Sequence, residues 1–341
     1  MDSYLDILQF LTPWSIWRHN IIYPKPKNLS CTNKKILITG ATAGLGKAAV
    51  EILAEEKNLT EITLASRNHV KAKKVIENLK QIHPQGQFNF EKLDLSDFQE
   101  CEKVAKNYVK NLHDSGKSGP DIIIGNSGVW MDKLVKNSSG HEMTFATNHL
   151  GHFVFIITLL NQLIKFNMKL PERIVMVTSA AHLFVNRDLL ENIEQNDWDF
   201  NFEKMKKYPF NDFQSYSLSK LFNIYFVRLL DQKLETGDQK TKVYAIHPGA
   251  CKSEIVASRT GFHKVIVDFV MAFIARSSRA GAASIVQCAC SVDEDVKENS
   301  GKYFENCVES ESNASDLSKD LEWAQKIWDK SVEITGTDLE L

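Results

Sequence analysis

Residues 36–50, "ILITGATAGLGKAAV", carry the strongest signal in the chain. The first part is an unbroken apolar run rich in isoleucine, the pattern of a short strand buried on both faces. From Gly44 onward the residues favour a helix. Between the two, Gly40, Gly44 and Gly46 let the backbone turn tightly and be approached closely by a diphosphate, which the N–H groups at a helix start attract. Thr39, Thr42, Ala43 and Leu45 complete the loop. A phosphate loop of the Walker type needs Gly-x4-Gly-Lys-Ser/Thr. Here the residue five before Gly46 is Ala41, and Lys47 is followed by Ala48, so that reading fails.

The alternation continues along the chain. A helix is expected over 44–57, a strand in "TEITLASR" (60–67) and a charged helix at about 69–82. Next come a strand in "FNFEKLDLS" (88–96), a polar helix to about 113, and a strand in "PDIIIGNSG" (120–128). A long helix is expected over 141–167, a fifth strand in "ERIVMVTSAA" (172–181) and an irregular polar stretch over 183–211. A helix carrying Tyr216 and Lys220 precedes a sixth strand in "KVYAIHPG" (242–249). Apolar strands alternating with helices predict a parallel sheet covered on both faces, a doubly wound α/β domain. Residues 1–33 read as an apolar appendage ending in a Pro/Lys linker, "YPKPKNLS" (23–30), and 34–336 as a single domain.

The bulk composition fits a globular domain: 341 residues, 43% hydrophobic, 25% charged, formal net charge -2. Without an excess of positive charge or a long basic run, no nucleic-acid partner is expected. The cysteines, 31, 101, 251, 288, 290 and 307, form no C-x-x-C pair and no zinc-like spacing, and read as reduced thiols. His149 and His152 lie three apart with no third ligand at a suitable spacing, so packing or hydrogen-bonding roles are expected and no metal. The N-terminal "YLDILQFLTPWSIWRHNIIYP" opens with acidic rather than basic residues and lacks a small-residue cleavage site, so a secretory signal is not expected. Its uncharged run from Ile7 to Trp17 is short for a membrane span. Residues 1–22 either pack on the domain or lie at a membrane interface, with Trp14 and Trp17 at headgroup depth.

At the end of the second strand an acidic residue would take the adenosine ribose hydroxyls. This chain has Ser66 and Arg67 there, and a guanidinium suits a 2′-phosphate, so NADP(H) is the expected cofactor. Tyr216 and Lys220 are one helical turn apart and share a face, where an ammonium would lower the phenol's pKa and fit it for proton transfer.

In order along the chain, the Gly-x3-Gly-x-Gly loop, "GNSG" (125–128), "NHLGHF" (148–153), "VTSAAH" (177–182), Tyr216-x3-Lys220 and "HPG" (247–249) resemble the short-chain dehydrogenases/reductases, in particular a retinol-dehydrogenase-like subset. The resemblance runs over about 34–336 and implies a Rossmann fold. It assigns Ser179, Tyr216, Lys220 and Asn148 as catalytic residues. Asp94 and Leu95 match the family's adenine edge, while Asn126, Ser127 and Gly128 match the loop by the nicotinamide ribose and Pro248 and Gly249 the last cofactor turn. Gly125 and Ser127 depart from the family's usual residues. Ser179 would hydrogen-bond the substrate oxygen while Tyr216 exchanges its proton, Lys220 would hold the ribose, and Asn148 would support Lys220 through a water. By the same resemblance, residues 250–280 fold over the substrate, where their apolar side chains either form a greasy lid or only complete the protein core; "GKYFENCVESE" is an edge strand, and "SKDLEWAQKIWDKSVEITG" a closing amphipathic helix. The implied substrate is a lipophilic alcohol or carbonyl of retinoid, steroid or polyisoprenoid kind. A cytoplasmic protein is implied, or one attached peripherally to the endoplasmic reticulum or a lipid droplet. A homodimer through the helices at 97–116 and 141–167 stays open. The rival readings are a lyase, epimerase or dehydratase on this scaffold, and a catalytically silent NADP(H)-binding regulator.

Overall fold

The computed structural model describes residues 25–56, 58–235, 241–251 and 276–340. Residues 1–22, read as appendage, and 252–275, most of the expected lid, lie outside the described residues. The elements are β1 (Lys35–Thr39), α1 (Gly44–Ala54), β2 (Glu61–Ser66), α2 (His69–Ile82), β3 (Gln87–Lys92), α3 (Phe98–Asp114) and β4 (Ile122–Gly125). After them come α4 (Gly151–Lys165), β5 (Arg173–Val177), α5 (Arg187–Gln195), α6 (Asp212–Leu234), β6 (Lys242–His247), α7 (Ser278–Cys290), β7 (Tyr303–Glu305), β8 (Val308–Glu309) and α8 (Leu321–Thr335).

The strands form one sheet in the order β3-β2-β1-β4-β5-β6-β7-β8. All pairs are parallel except β7 with β8, which close a hairpin through Asn306 and Cys307, both at positive φ. Strand residues alternate between two cores, as a sheet covered on both sides requires. Leu37 and Ile123 face the core shared with α3, α4, α6 and α8, whereas Ile36, Ile38, Ile122 and Ile124 face α1, α2 and α7. The doubly wound α/β architecture is therefore as expected.

The expected helix over 141–167 is not continuous. Met143–Phe145 forms a short helical turn capped by buried Glu142, whose carboxylate accepts from the Thr144 and Phe145 N–H groups and from Ser215 Oγ. A π-turn follows at Ala146–Leu150, closed by Gly151 N–H to Ala146 O, and only then does α4 begin. The stretch 183–211 is not wholly irregular, since a 3-10 turn (Ala180–Phe184) and α5 fall in or next to it. The first helix stops at Ala54, short of 57. Met143–Lys165 is the one helical stretch among the described residues long and apolar enough to cross a bilayer, but it is almost wholly buried within the protein.

Two closures complete the body. On α8, Trp328 stacks on Phe226 and meets Phe153 edge-on, at ring-centroid distances of 5.9 and 4.9 Å. At the other end of the chain, residues 27–31 lie along the end of α7. Leu29 bridges Ser291, Ser30 N donates to Cys290 O (2.8 Å), and Cys31 is joined to Cys290 by a disulfide. This corrects the reading of all six cysteines as reduced thiols: a pairing across 259 positions leaves no spacing pattern to read. Cys101, Cys251, Cys288 and Cys307 are free.

Candidate active site

The expected site residues gather where the strands end. Thr39 closes β1, and its Oγ1 accepts from the N–H groups of Asn126 and Ser127, both at 3.0 Å. The Asn126 amide donates back to the carbonyls of Thr39 (3.0 Å) and Gly40 (3.1 Å). The loops after β1 and β4 are thereby stitched together. Gly40 is held at φ +69°, and a Cβ there would lie 2.5 Å from Ser127 Oγ; one on Gly46 would lie 2.4 Å from the Asn126 amide. Only glycine fits at either place. The N-terminus of α1 has no side-chain cap, since Ala43 precedes it, so its leading N–H groups stay available to an anion.

At the end of β2 the Ser66 hydroxyl is buried without a hydrogen-bond partner, an arrangement that asks for a ligand. Arg67 beside it is exposed, and Asn68 caps α2 by accepting from Lys71 N (2.9 Å). Asp94 is turned to its own loop, accepting from Ser96 N (3.0 Å) and Ser96 Oγ (2.7 Å), while Leu95 is buried. Pro248 O accepts from the Cys251 thiol (3.3 Å), and Gly249 packs on the buried Arg276 side chain. An uncapped helix start, a cradle that any Cβ would fill and an orphaned hydroxyl fit a bound dinucleotide.

On the proton-handling side, Ser179 follows β5, its hydroxyl accepts from Ala181 N (3.2 Å), and it lies near enough to Tyr216 to favour the phenolate. Its carbonyl is fixed by His182, through N (3.1 Å) and Nδ1 (2.8 Å). Lys220 is buried below Tyr216, its Nζ 5.6 Å from the ring centre and 3.1 Å from Val177 O, to which it donates. Thr178 Oγ1 donates to Lys220 O (2.6 Å), tying α6 to the end of β5. Asn148 lies within the π-turn, where its amide donates to Val129 O (2.9 Å) and Ser219 Oγ (3.0 Å) and its Oδ1 accepts from Val129 N (2.7 Å).

The acidities differ from expectation in one respect. Burial pushes the Tyr216 phenol up to about 12, only partly offset by the contact with Ser179. The same burial brings Lys220 down to about 8. The expected lowering of the phenol by Lys220 is not what the structure has: desolvation sets the direction, the lowering contact comes from Ser179, and Lys220 Nζ is engaged with Val177 O.

Motif reading missed an aromatic wall. Trp130 stacks on the Tyr216 ring at 4.9 Å and 15°, and also meets Phe213, which meets Phe184 edge-on at 5.1 Å. The one available signal was Phe213, three residues before Tyr216 and so on its side of α6. Among the described residues no group of three His, Cys, Asp or Glu side chains could hold a metal. His149 instead bonds Ser331 Oγ at 2.8 Å.

The short chain dehydrogenase profile matches residues 34–187. Over its full length the chain is 30% identical to mouse (Mus musculus) retinol dehydrogenase 12, covering 98% of that protein. The chain belongs to the short chain dehydrogenase family. As such it is an oxidoreductase that works between alcohols and carbonyls with a nicotinamide cofactor. Two solved structures share its architecture. An uncharacterized protein from Mycobacterium Paratuberculosis is 24% identical, with a TM-score of 0.66, covering 92% of this chain and 98% of that one. A short chain dehydrogenase from Burkholderia cenocepacia J2315, in complex with NADP, is 17% identical, with a TM-score of 0.58 over 83% of this chain and 99% of that one.

Proposed function

We propose that this dehydrogenase is specific for NADP(H) and interconverts an alcohol and a carbonyl on a lipophilic substrate of retinoid, steroid or polyisoprenoid kind, with Tyr216 as general acid and base. The observation that carries the reading is the meeting of Ser179, Tyr216 and Lys220 at the end of β5, beside the stitched loops of Thr39, Gly40 and Asn126. The bound nicotinamide supplies or accepts the hydride. Ser179 Oγ orients the substrate oxygen, and Tyr216 gives that oxygen a proton in reduction or removes one in oxidation. Lys220, dry and donor-rich, holds the ribose hydroxyls and a positive charge near the phenol.

Arg67 and the orphaned Ser66 hydroxyl support a 2′-phosphate at the end of β2, since together they offer a guanidinium fork and an unused donor. Trp130, Phe213 and Phe184 support a lipophilic substrate, as does the retinol dehydrogenase name of the relative. Peripheral contact with an intracellular membrane through residues 1–22 belongs to the same proposal. So does a homodimer, for which α3 offers an outward surface while α4 is buried.

Titration of NADPH and NADH into the purified protein and into Arg67→Ala tests the cofactor. Removing a charged hydrogen-bond partner should weaken NADPH by about tenfold to a hundredfold and leave NADH unchanged. Equal binding of NADH by the wild type would overturn the role of Arg67. NADPH binding without turnover on a panel of lipophilic aldehydes and ketones would favour the silent regulator.

A further inference from the structure

His152 is buried, and each of its ring nitrogens has a single partner. Nδ1 lies 3.0 Å from Asn148 O, and Nε2 lies 2.9 Å from Thr39 Oγ1. A carbonyl can only accept, so Nδ1 carries the proton and Nε2 presents its lone pair. Thr39 Oγ1 already accepts from Asn126 N and Ser127 N, which leaves its own proton for Nε2. The polarity is therefore unbroken from the loop after β4, through Thr39 and the imidazole, to the carbonyl of Asn148.

We infer that His152 is a positioning residue, a neutral strut that holds the Asn148 turn in register with the cofactor loop. The role presupposes the oxidoreductase reading of the site. The π-turn at Ala146–Leu150 is the mechanical reason for a strut, since it interrupts the regular helix ladder at Asn148 and leaves a turn that needs external support. His152 is also shielded from becoming a cation. Burial comes first and the nearby Lys220 charge acts in the same direction, so the ring is held down to about 4. His149, in the π-turn just before α4, is itself held neutral by burial, down to about 3. With one tautomer and one charge state across neutral pH, the link is rigid rather than switchable.

A double-mutant cycle between His152→Leu, which has no polar group, and Thr39→Val tests the strut, read as kcat, KM and NADPH Kd. Each single change should lower kcat/KM by about tenfold, and the double variant should be little worse than either, because both break one line. His152→Asn keeps a donor at the Nδ1 position and should recover kcat more than NADPH affinity; His152→Gln, which keeps an acceptor towards Thr39, should do the reverse. Additive effects would overturn the inference, as would losses confined to thermal stability with kcat and Kd unchanged. Should the wild type bind no nicotinamide nucleotide, the oxidoreductase reading falls, and the strut is judged from the imidazole nitrogens by 15N NMR. A neutral Nδ1–H ring, unchanged from about pH 5 to 8, sustains it. An Nε2–H ring, or one titrating in that window, overturns it.

Discussion

Tyr216 is half-buried and Lys220 fully buried, and desolvation moves their acidities in opposite senses, to about 12 and about 8. On the proposed mechanism, carbonyl reduction needs the phenol protonated and the ammonium charged. Both conditions hold below about 8, and the second is lost as pH rises past the lowered pKa of Lys220. In the free enzyme, kcat/KM for reduction should thus be level near neutrality and fall above about pH 8, while kcat/KM for alcohol oxidation, which needs phenolate beside the charged ammonium, should rise towards about pH 8 and then level off. Paired pH profiles in the two directions check this, and a reduction limb that rises through pH 8 would contradict it. That Tyr216, Lys220 and Ser179 come together was legible, because the motifs that resemble the family fall where the alternation of strands and helices brings them to the same sheet edge. The sign of the Tyr216 shift was not readable. It depends on how completely the surroundings exclude water, which no pair of residues four apart encodes.

Among the elements, the π-turn and α4 form the junction on which the site hangs. The apolar pattern of Met143–Lys165 runs on without a proline, so a sequence reading expects one continuous helix and has no means to see the extra residue per turn. What fixes the break is tertiary: the amide of Asn148 is pinned to both backbone groups of Val129, and α4 is pressed against the loop after β3. Gly151 is the point of closest approach, where an added Cβ would lie only 2.0 Å from Leu95 O. Gly151→Ala should push α4 off that loop, destabilise the protein by about 1–3 kcal/mol and weaken NADPH, since Asp94 and Leu95 move with the loop. Thermal unfolding together with a cofactor titration measures both, and an unchanged unfolding midpoint would refute the close fit. Trp130 was hidden for a similar reason, since its partner ring stands on another element far along the chain.

Over the whole molecule, the cofactor loops lie at the edge where the strands end, and the disulfide lies at the edge where they begin. There Arg173, at the start of β5, donates to the carbonyls of Cys288 and Ser291. Reducing the bond, or making Cys31→Ser, should lower stability by about 2–5 kcal/mol and leave the Kd for NADPH unchanged. Denaturant unfolding with and without reductant, alongside the same titration, is the check; a change in Kd would show that the two edges communicate. The strands and their parallel sheet were legible because buried strands announce themselves locally. The cysteine pair was not, since only the finished fold brings residues 31 and 290 together. That bond also makes a covalent ring of everything between those residues, the whole cofactor-binding sheet from β1 to β6 included. A single cut anywhere in the ring leaves one molecule by mass until it is reduced. A pull applied ahead of Cys31 is passed to the end of α7, and β1 with its glycine loop is spared the load.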